Sequence, residues 1–286
     1  MANMQAAAAQ YLSKYGHQSI ACNYYVLTKL GIDRIHCYLK IDEYIILCVP
    51  FQLGFKRALF LASLSRQELN FFRRYINSSV GLSIGFAPNR KQAPIQFFIR
   101  CNLVNLGQMK GRENVGILVV DYKSTPHDMV ILLGDFLENQ LRLRAGYDEY
   151  GNSIIKMTAN TTKMLGYNMY ATITEPNNRE KRIQLFSLST KTIEHLEAVT
   201  SRERPPGTQV HYHLFFKKYR IFIPGTVKSV VRPPQGGIIK TSANLVFSPE
   251  LVEIIGDYWY TIRRELNETD VSANEHEFSR ISRNLR

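Results

Sequence analysis

The sequence predicts a mainly β fold: two small antiparallel β-barrels in tandem, each closed by a C-terminal α-helix, preceded by an N-terminal helix. Three observations support this prediction. Residues 126–137 (PHDMVILLGDFL) resemble residues 248–259 (SPELVEIIGDYW), so the chain repeats itself. Both halves contain many short runs of β-branched and aromatic residues separated by turn signals. The repeated segment, by contrast, has the apolar spacing of a helix.

Four landmarks occur in the same order in the two halves and predict a tandem duplication. They are the S-L-S segments Phe60–Phe72 and Gln184–Leu196, the Phe-Phe runs Pro94–Val104 and Thr208–Ile223, the segments GILVV at Gly116 and GIIKT at Gly237, and the repeated helix. Five to seven short strands in each copy favour a small antiparallel barrel.

The repeated helix has one apolar face in each copy. In the first copy this face comprises Met129, Leu132, Leu133, Phe136 and Leu137, and the second copy repeats it position for position. Ser124 or Thr125 in the first copy and Ser248 in the second are candidate N-caps. Ser65 followed by Glu68 predicts a capping box, and Ser189 followed by Thr192 a weaker one, so we expect a short helix after each S-L-S segment.

The predicted domain boundaries follow from this organisation. A length of 286 residues favours two domains. We expect an N-terminal helical extension over residues 1–32, a first barrel over 33–140, a second barrel over 141–266, and a flexible polar tail over 267–286.

Composition restricts the class of protein. No segment contains about 18 consecutive apolar residues, so we expect no membrane span and a cytoplasmic location. The four cysteines lack metal or redox spacing and are expected to be buried free thiols in a reducing compartment. The formal net charge is +12, and residues 49–112 carry ten Lys and Arg against one acid. Such a surplus favours a polyanion or a phosphate-bearing ligand.

Motifs of catalysis are missing from the sequence. It contains neither a P-loop nor a GxGxxG segment, and His211 and His213 form only a two-residue pattern on one strand face. We therefore expect no enzyme activity, no metal and no cofactor. Basic residues alternate with aromatic ones at residues 71–75 (FFRRY) and 215–222 (FFKKYRIF). These segments would suit single-stranded nucleic acid, or form strands with an apolar inner face and a basic outer face.

Residues 35–265 resemble the PilZ family, particularly the two-barrel PilZ-like proteins of spirochaetes. The resemblance is carried by GILVVDYKSTPHDMVILLGDFLE, by NLVFSPELVEIIGDYW and by the two S-L-S segments. PilZ domains are receptors for the bacterial second messenger cyclic di-GMP, which they bind with an RxxxR motif before the barrel and a [D/N]xSxxG motif on a barrel strand. The resemblance implies a non-enzymatic signalling or adaptor protein linked to motility, with a protein partner in the motility apparatus.

Both ligand motifs are altered in this sequence. Residues 187–192 (SLSTKT) stand where [D/N]xSxxG would fall in the second copy, and residues 63–68 (SLSRQE) in the first. The segment that enters the second copy offers Arg142 and Arg144 in place of RxxxR. The candidate ligand-binding residues are Arg142, Arg144, Arg182, Ser187 and Ser189, at the junction of the barrels. A single-stranded nucleic-acid-binding protein and a pure protein-interaction module remain as alternatives.

Overall fold

A computed structural model describes residues 2–87, 95–175, 180–198, 204–232 and 237–264. The chain divides into two compact units, residues 1–139 and 140–286. The predicted polar tail, residues 267–286, lies outside the described residues. Among the helices that are described, none is both long and apolar enough to cross a membrane.

The first unit is built around a closed antiparallel barrel of six strands. Its elements are α1 (Ala2–Tyr15), β1 (Ser19–Ala21), α2 (Tyr24–Leu30), β2 (Ile32–Ile41), β3 (Tyr44–Gly54), β4 (Arg57–Ser63), α3 (Arg66–Phe72), a 3-10 turn (Arg73–Tyr75), β5 (Ser79–Phe86), β6 (Ile95–Gln108), β7 (Val115–Tyr122) and α4 (His127–Glu149). The strands follow the order β3-β2-β5-β6-β7-β4, and β4 pairs again with β3 to close the barrel.

The second unit repeats this barrel. It contains β8 (Ile155–Lys156), α5 (Ala159–Leu165), β9 (Tyr167–Thr174), β10 (Glu180–Leu188), β11 (Thr192–Ala198), β12 (Gln209–Phe216), β13 (Arg220–Val231), β14 (Ile238–Leu245) and α6, which is helical over residues 249–264. The order β10-β9-β12-β13-β14-β11, closed by pairing of β11 with β10, is that of the first barrel strand for strand. The predicted tandem repeat of two barrels is confirmed.

Two of the four sequence landmarks nevertheless join strands that are not equivalent. The first S-L-S segment ends β4, the third barrel strand, whereas the second ends β10, the second barrel strand. The Phe-Phe pairs likewise lie on the fifth strand of one barrel and the fourth of the other. Alternating strands of similar composition resemble one another by chance, because all of them bury one face. The GILVV and GIIKT strands and the repeated helix are equivalent in the two units.

The helices differ from expectation in three places. First, α4 does not end near residue 137, but runs on to Glu149. Second, Ser65 forms the predicted capping box of α3, but Ser189 leads into a tight turn and then strand β11, so the second predicted helix is wrong. Third, residues 71–75 lie in α3 and the 3-10 turn, so only one of the two basic-aromatic segments is a strand pair.

One of the predicted N-caps forms a capping hydrogen bond. Ser248 accepts a bond from the backbone N–H of Leu251. The Thr125 hydroxyl instead donates to the Phe55 carbonyl.

The repeated Gly-Asp pair has a different neighbour in each unit. In the first unit, α1 packs across α4, and the Tyr11 ring lies against Gly134 so closely that an added Cβ would be 2.3 Å from Cγ of Tyr11. The Tyr11 hydroxyl donates to Asp135 at 2.6 Å. In the second unit the position of Gly134 is taken by Gly256, where an added Cβ would have only an ordinary contact at 3.7 Å. The first glycine is therefore needed for the docking of α1, and the second is not.

Three of the four cysteines, Cys37, Cys48 and Cys101, are buried in the first unit, and Cys22 is half-buried; all four are free thiols. Burial raises the pKa of the Cys22 and Cys101 thiols to about 12.

A network of charged residues is buried in the second barrel. Oε1 of Glu197 accepts a bond from Nη1 of Arg204 at 2.5 Å and lies 2.7 Å from Nε2 of His195. The Arg204 side chain also reaches Glu175 at 2.8 Å. Arg204 and Glu197 are only 5% and 7% exposed. Because water cannot solvate these charges, each depends on its partners.

Acid is expected to weaken the second barrel through Glu197. Burial by itself would raise the pKa of this carboxyl, but the bonds from His195 and Arg204 outweigh burial and lower the pKa from 4.5 to about 2. Its contribution to stability is therefore complete above about pH 4.5 and is lost as the pH falls toward 2. Urea unfolding across this range should show the loss in the second unit. A Glu197→Gln variant should be less stable at neutral pH, and its free energy of unfolding should depend less on pH across this range. An identical pH dependence in both proteins would contradict the role given to Glu197.

Candidate functional site

Of the two predicted serines, Ser187 lies near the end of β10 and Ser189 in the turn between β10 and β11, and both are buried. The Ser187 hydroxyl donates to Oε2 of Glu194 at 2.6 Å. The Ser189 hydroxyl donates to the Gly151 carbonyl at 2.9 Å and accepts a bond from the backbone N–H of Thr192 at 3.0 Å. Both side chains are at most 2% exposed. These hydroxyls therefore hold the turn in shape, as the local bonds of serine often do.

The counterpart of this turn in the first barrel is not residues 63–68, so the motif position predicted for the first copy is wrong. Because β3 and β4 are equivalent to β10 and β11, the pair Leu53 and Ala58 corresponds to the pair Leu188 and Ile193. Each pair encloses a four-residue turn, residues 54–57 or 189–192. Only the lysine at the third position, Lys56 or Lys191, is common to the two turns.

The end of α4 packs against the β10–β11 turn. The Thr190 hydroxyl donates to the Tyr147 carbonyl at 2.7 Å. The Lys191 ammonium pairs with Asp148 at 2.6 Å and lies 5.1 Å from the centre of the Tyr147 ring. The turn is thus fixed to the segment that leads into the second barrel, which is the segment that carries the predicted arginines.

A second cation and a second ring complete this arrangement. The Arg144 guanidinium lies 4.7 Å from the centre of the Phe247 ring, and Phe247 meets Tyr147 edge to face at 5.5 Å. We call Arg144, Tyr147, Lys191 and Phe247 the turn cluster. Guanidinium and ammonium groups bind phosphate oxygens, and aromatic rings stack on nucleobases. The turn cluster places both kinds of group at one corner of the second unit.

The other two predicted arginines lie outside the turn cluster. Arg142 is exposed on α4, two residues before Arg144, so the two side chains leave the helix in different directions. Arg182 is exposed near the start of β10, and its guanidinium lies 5.4 Å from the centre of the Tyr170 ring. Ser187 is five positions along β10 from Arg182, a distance of about 17 Å. The structure does not bring Arg182 to the serines.

Sequence reasoning missed Tyr147, Lys191 and Phe247. Lys191 was inside the quoted segment SLSTKT, but it is not a position of the family's motif. Tyr147 and Phe247 belong to no motif. They meet because α4 extends to Glu149 and because β14 ends at Leu245, whose carbonyl accepts a bond from the Tyr147 hydroxyl at 3.0 Å.

The two histidines of β12 pack against an aromatic side chain. The His211 ring stacks on Phe222 with 4.8 Å between ring centres, and the His213 ring lies 4.6 Å from the same residue. Nδ1 of His213 is 3.4 Å from Glu180. Across the ranges that the structure covers, no group of three or more His, Cys, Asp and Glu side chains could hold a metal ion.

Three solved structures are similar to this chain at low sequence identity. The chain has 15% identity to the PlzA protein of Borreliella burgdorferi in complex with c-di-GMP, covering 89% of this chain and 99% of that one with a TM-score of 0.45. It has 11% identity to YcgR of Escherichia coli in complex with c-di-GMP, covering 86% and 90% of the two chains with a TM-score of 0.29. For the inhibitor of motility MotI/DgrA of Bacillus subtilis the identity is 10%, the coverage 82% and 99%, and the TM-score 0.29.

No curated protein sequence matches the chain. Residues 7–140, however, match the model of the PilZN3 domain, and this segment covers the whole first barrel. The first barrel is therefore similar to a PilZN3 domain, and the second barrel repeats its strand order.

Proposed function

We propose that this chain is a non-enzymatic regulatory protein that binds cyclic di-GMP at its second barrel and acts on a protein of the motility apparatus. The observation that carries the proposal is the turn cluster. Two cations and two aromatic rings lie in and beside residues 187–192, the segment that stands where the [D/N]xSxxG motif of PilZ proteins would fall. Cyclic di-GMP presents two phosphates and two guanine rings, which are the partners that these side chains suit.

The proposal gives the residues of the site different roles. Arg144 and Lys191 contact the ligand phosphates, and Arg142 adds a further positive charge on the same helix. Phe247 and Tyr147 offer ring faces to the guanines. Ser187 and Ser189 position the turn through their buried hydrogen bonds and do not contact the ligand. Arg182 remains a predicted contact, which the ligand would reach only if it extended along β10.

The existing contacts of the cations are weak enough to be exchanged for a ligand. Asp148, the partner of Lys191, is 73% exposed, and an ion pair of this kind contributes little to stability in water. Arg144 is exposed and is held by the Phe247 ring. A phosphate could therefore bind both cations without breaking a buried interaction.

The test is a calorimetric titration with cyclic di-GMP. We expect the unaltered chain to bind saturably and the double variant Arg142→Ala/Arg144→Ala to bind at least about tenfold more weakly, because a charge-assisted hydrogen bond contributes about 1.5–3 kcal/mol. The matched control, Arg220→Ala/Lys228→Ala, removes two exposed cations from β13 and should bind like the unaltered chain. The proposal is wrong if the unaltered chain shows neither heat of binding nor a thermal shift at cyclic di-GMP concentrations well above the micromolar range.

A further inference from the structure

Strand β5 of the first barrel alternates strictly between small and large residues. The large ones, Val80, Leu82 and Ile84, are buried in the barrel core. The small ones occupy the alternate positions, which face outward, and are Ser79, Gly81, Ser83 and Gly85. Because the outward positions carry almost no side chain, the strand forms the floor of a trough on the surface of the barrel.

The neighbouring strands form the walls of this trough. In the register of the sheet, Gly81 lies between Lys40 of β2 and Arg100 of β6. Ser83 lies between Tyr38 of β2 and Phe98 of β6 in the same way. The trough encloses about 570 Å³.

Both ends of the trough are defined. At one end, the side chain of His36 fills the space beside Gly85, where an added Cβ would be 3.0 Å from the His36 Cβ. At the other end, the Lys123 ammonium donates to the Ser79 hydroxyl at 3.1 Å. Ser83 is only 1% exposed, because its hydroxyl donates to the His36 carbonyl and accepts a bond from the Gln96 amide, so the open part of the trough lies over Ser79 and Gly81.

The trough is a property of the first barrel and not of the fold. Strand β12 is the equivalent of β5 in the second barrel. Its outward positions carry the large side chains Gln209, His211, His213 and Phe215. The rings of His211 and His213 pack against Phe222, so the corresponding surface is filled.

Exposed apolar side chains continue the trough across the sheet. Phe98 is 70% exposed, and on the far side Leu47 and Ile45 of β3, which pair with Tyr38 and Lys40, are 65% and 61% exposed. Contiguous exposed apolar residues on a soluble barrel indicate a surface that another protein covers. A small ligand, by contrast, is usually enclosed by its pocket over most of its surface.

The charge of this surface is positive. Lys40 and Arg100 face each other across Gly81, and Lys123 lies at the end of the trough. Within the described part of the chain, no carboxylate forms an ion pair with any of these three cations. Asp33, beside the His36 end of the trough, pairs with His36, and Asp121 of β7 is held by both Nε and Nη2 of Arg57.

We propose that the trough on β5 docks a segment of a partner protein that carries acidic side chains next to large apolar ones. The acidic groups pair with Lys40 and Arg100, and the apolar groups cover Gly81, Phe98 and Leu47. The closed barrel has no free strand edge at this place, since β5 pairs with both β2 and β6, so recognition depends on side chains and not on strand addition. The trough belongs to the first unit and the turn cluster to the second, and the inference does not depend on cyclic di-GMP.

The test begins with random peptides displayed on phage and selected against the purified full chain. We expect the enriched peptides to combine Asp or Glu with Leu, Ile or Phe. In anisotropy titrations of the enriched peptides, Gly81→Trp should weaken binding at least about tenfold by filling the trough. A Cβ on Gly81 would meet no atom closer than 3.8 Å, so the barrel can accept the side chain. The double variant Lys40→Glu/Arg100→Glu should weaken binding at least as much.

Two matched controls change the same barrel elsewhere. Gly107→Trp adds the same side chain to a strand glycine with no atom within 4 Å of its Cβ position. Lys110→Glu/Arg112→Glu makes the same change of charge in the exposed β6–β7 turn. Both should bind the enriched peptides like the unaltered chain.

Several results would overturn the proposal. They are the failure to enrich any peptide, enrichment of peptides without acidic residues, and equal binding to the Gly81→Trp variant. A dimer of the unaltered chain that Gly81→Trp dissociates would assign the face to a second copy of the chain instead. Binding of an oligonucleotide that Lys40→Glu/Arg100→Glu abolishes would assign it to nucleic acid.

Discussion

Replacing Arg204 with Met is expected to destabilise the second barrel by about 3–5 kcal/mol, because it leaves two carboxylates buried without their cation. Arg204 is the only partner that joins Glu197 to Glu175 in the described network, and all three side chains are at least seven-eighths buried. Methionine fills much of the same volume, so the loss is of charge pairing more than of packing.

Thermal and urea unfolding, followed for each unit separately, would measure this effect. The transition of the second unit should move to lower temperature, while that of the first stays in place. Arg220→Met, which removes an exposed arginine from the same barrel, should change the stability by no more than about 0.5 kcal/mol. The double variant Arg204→Met/Glu197→Met should recover part of the loss. Equal effects of Arg204→Met and Arg220→Met would show that the network does not stabilise the barrel.

Gly134→Ala is expected to destabilise the first unit by about 1–3 kcal/mol, although alanine is the better helix former. The added methyl group would lie 2.3–2.6 Å from three atoms of the Tyr11 ring, so α1 would have to move. Its displacement would also break the bond from Tyr11 to Asp135 and the ion pair of Lys14 with Glu138. Loss of protection of α1 in hydrogen exchange would show the displacement directly.

The second unit supplies the matched control. Gly256→Ala makes the same change at the equivalent position, where the added Cβ is 3.7 Å from the Tyr150 ring. Here the propensity of alanine should prevail and stabilise the helix by up to about 1 kcal/mol. If both alanines stabilised their units equally, the close packing of α1 on Gly134 would be refuted.

The architecture was predictable from the sequence because periodicity records which face of each element is buried. The barrels, the N-terminal helix and the repeated helix all follow from such patterns. Alignment of individual strands was not predictable in the same way. One alternating strand resembles another, so the S-L-S and Phe-Phe landmarks joined positions that the strand order separates. The domain boundaries remain a prediction; the structure divides the chain within α4.

The candidate site was less predictable than the fold. Motif spacing directed attention to Ser187 and Ser189, but a hydroxyl can bind a ligand or cap a turn, and only the coordinates show that these two are buried in the turn. Tyr147 and Phe247 are a hundred residues apart and meet through packing. The alternation of small and large residues that forms the trough on β5 can be read from the sequence SVGLSIG. The walls of the trough depend on which strands flank β5, and these the sequence does not show.

The strand order also determines how each barrel can fold. Four of its six ladders join strands adjacent in the chain, and two join distant strands, β2 with β5 and β4 with β7 in the first barrel. Hairpins form within microseconds, whereas distant pairings must first close long loops. We therefore expect closure of the barrel to limit the rate of folding. Substitutions in the β4–β7 ladder should slow refolding in stopped-flow measurements more than equally destabilising substitutions within the β2–β3 hairpin.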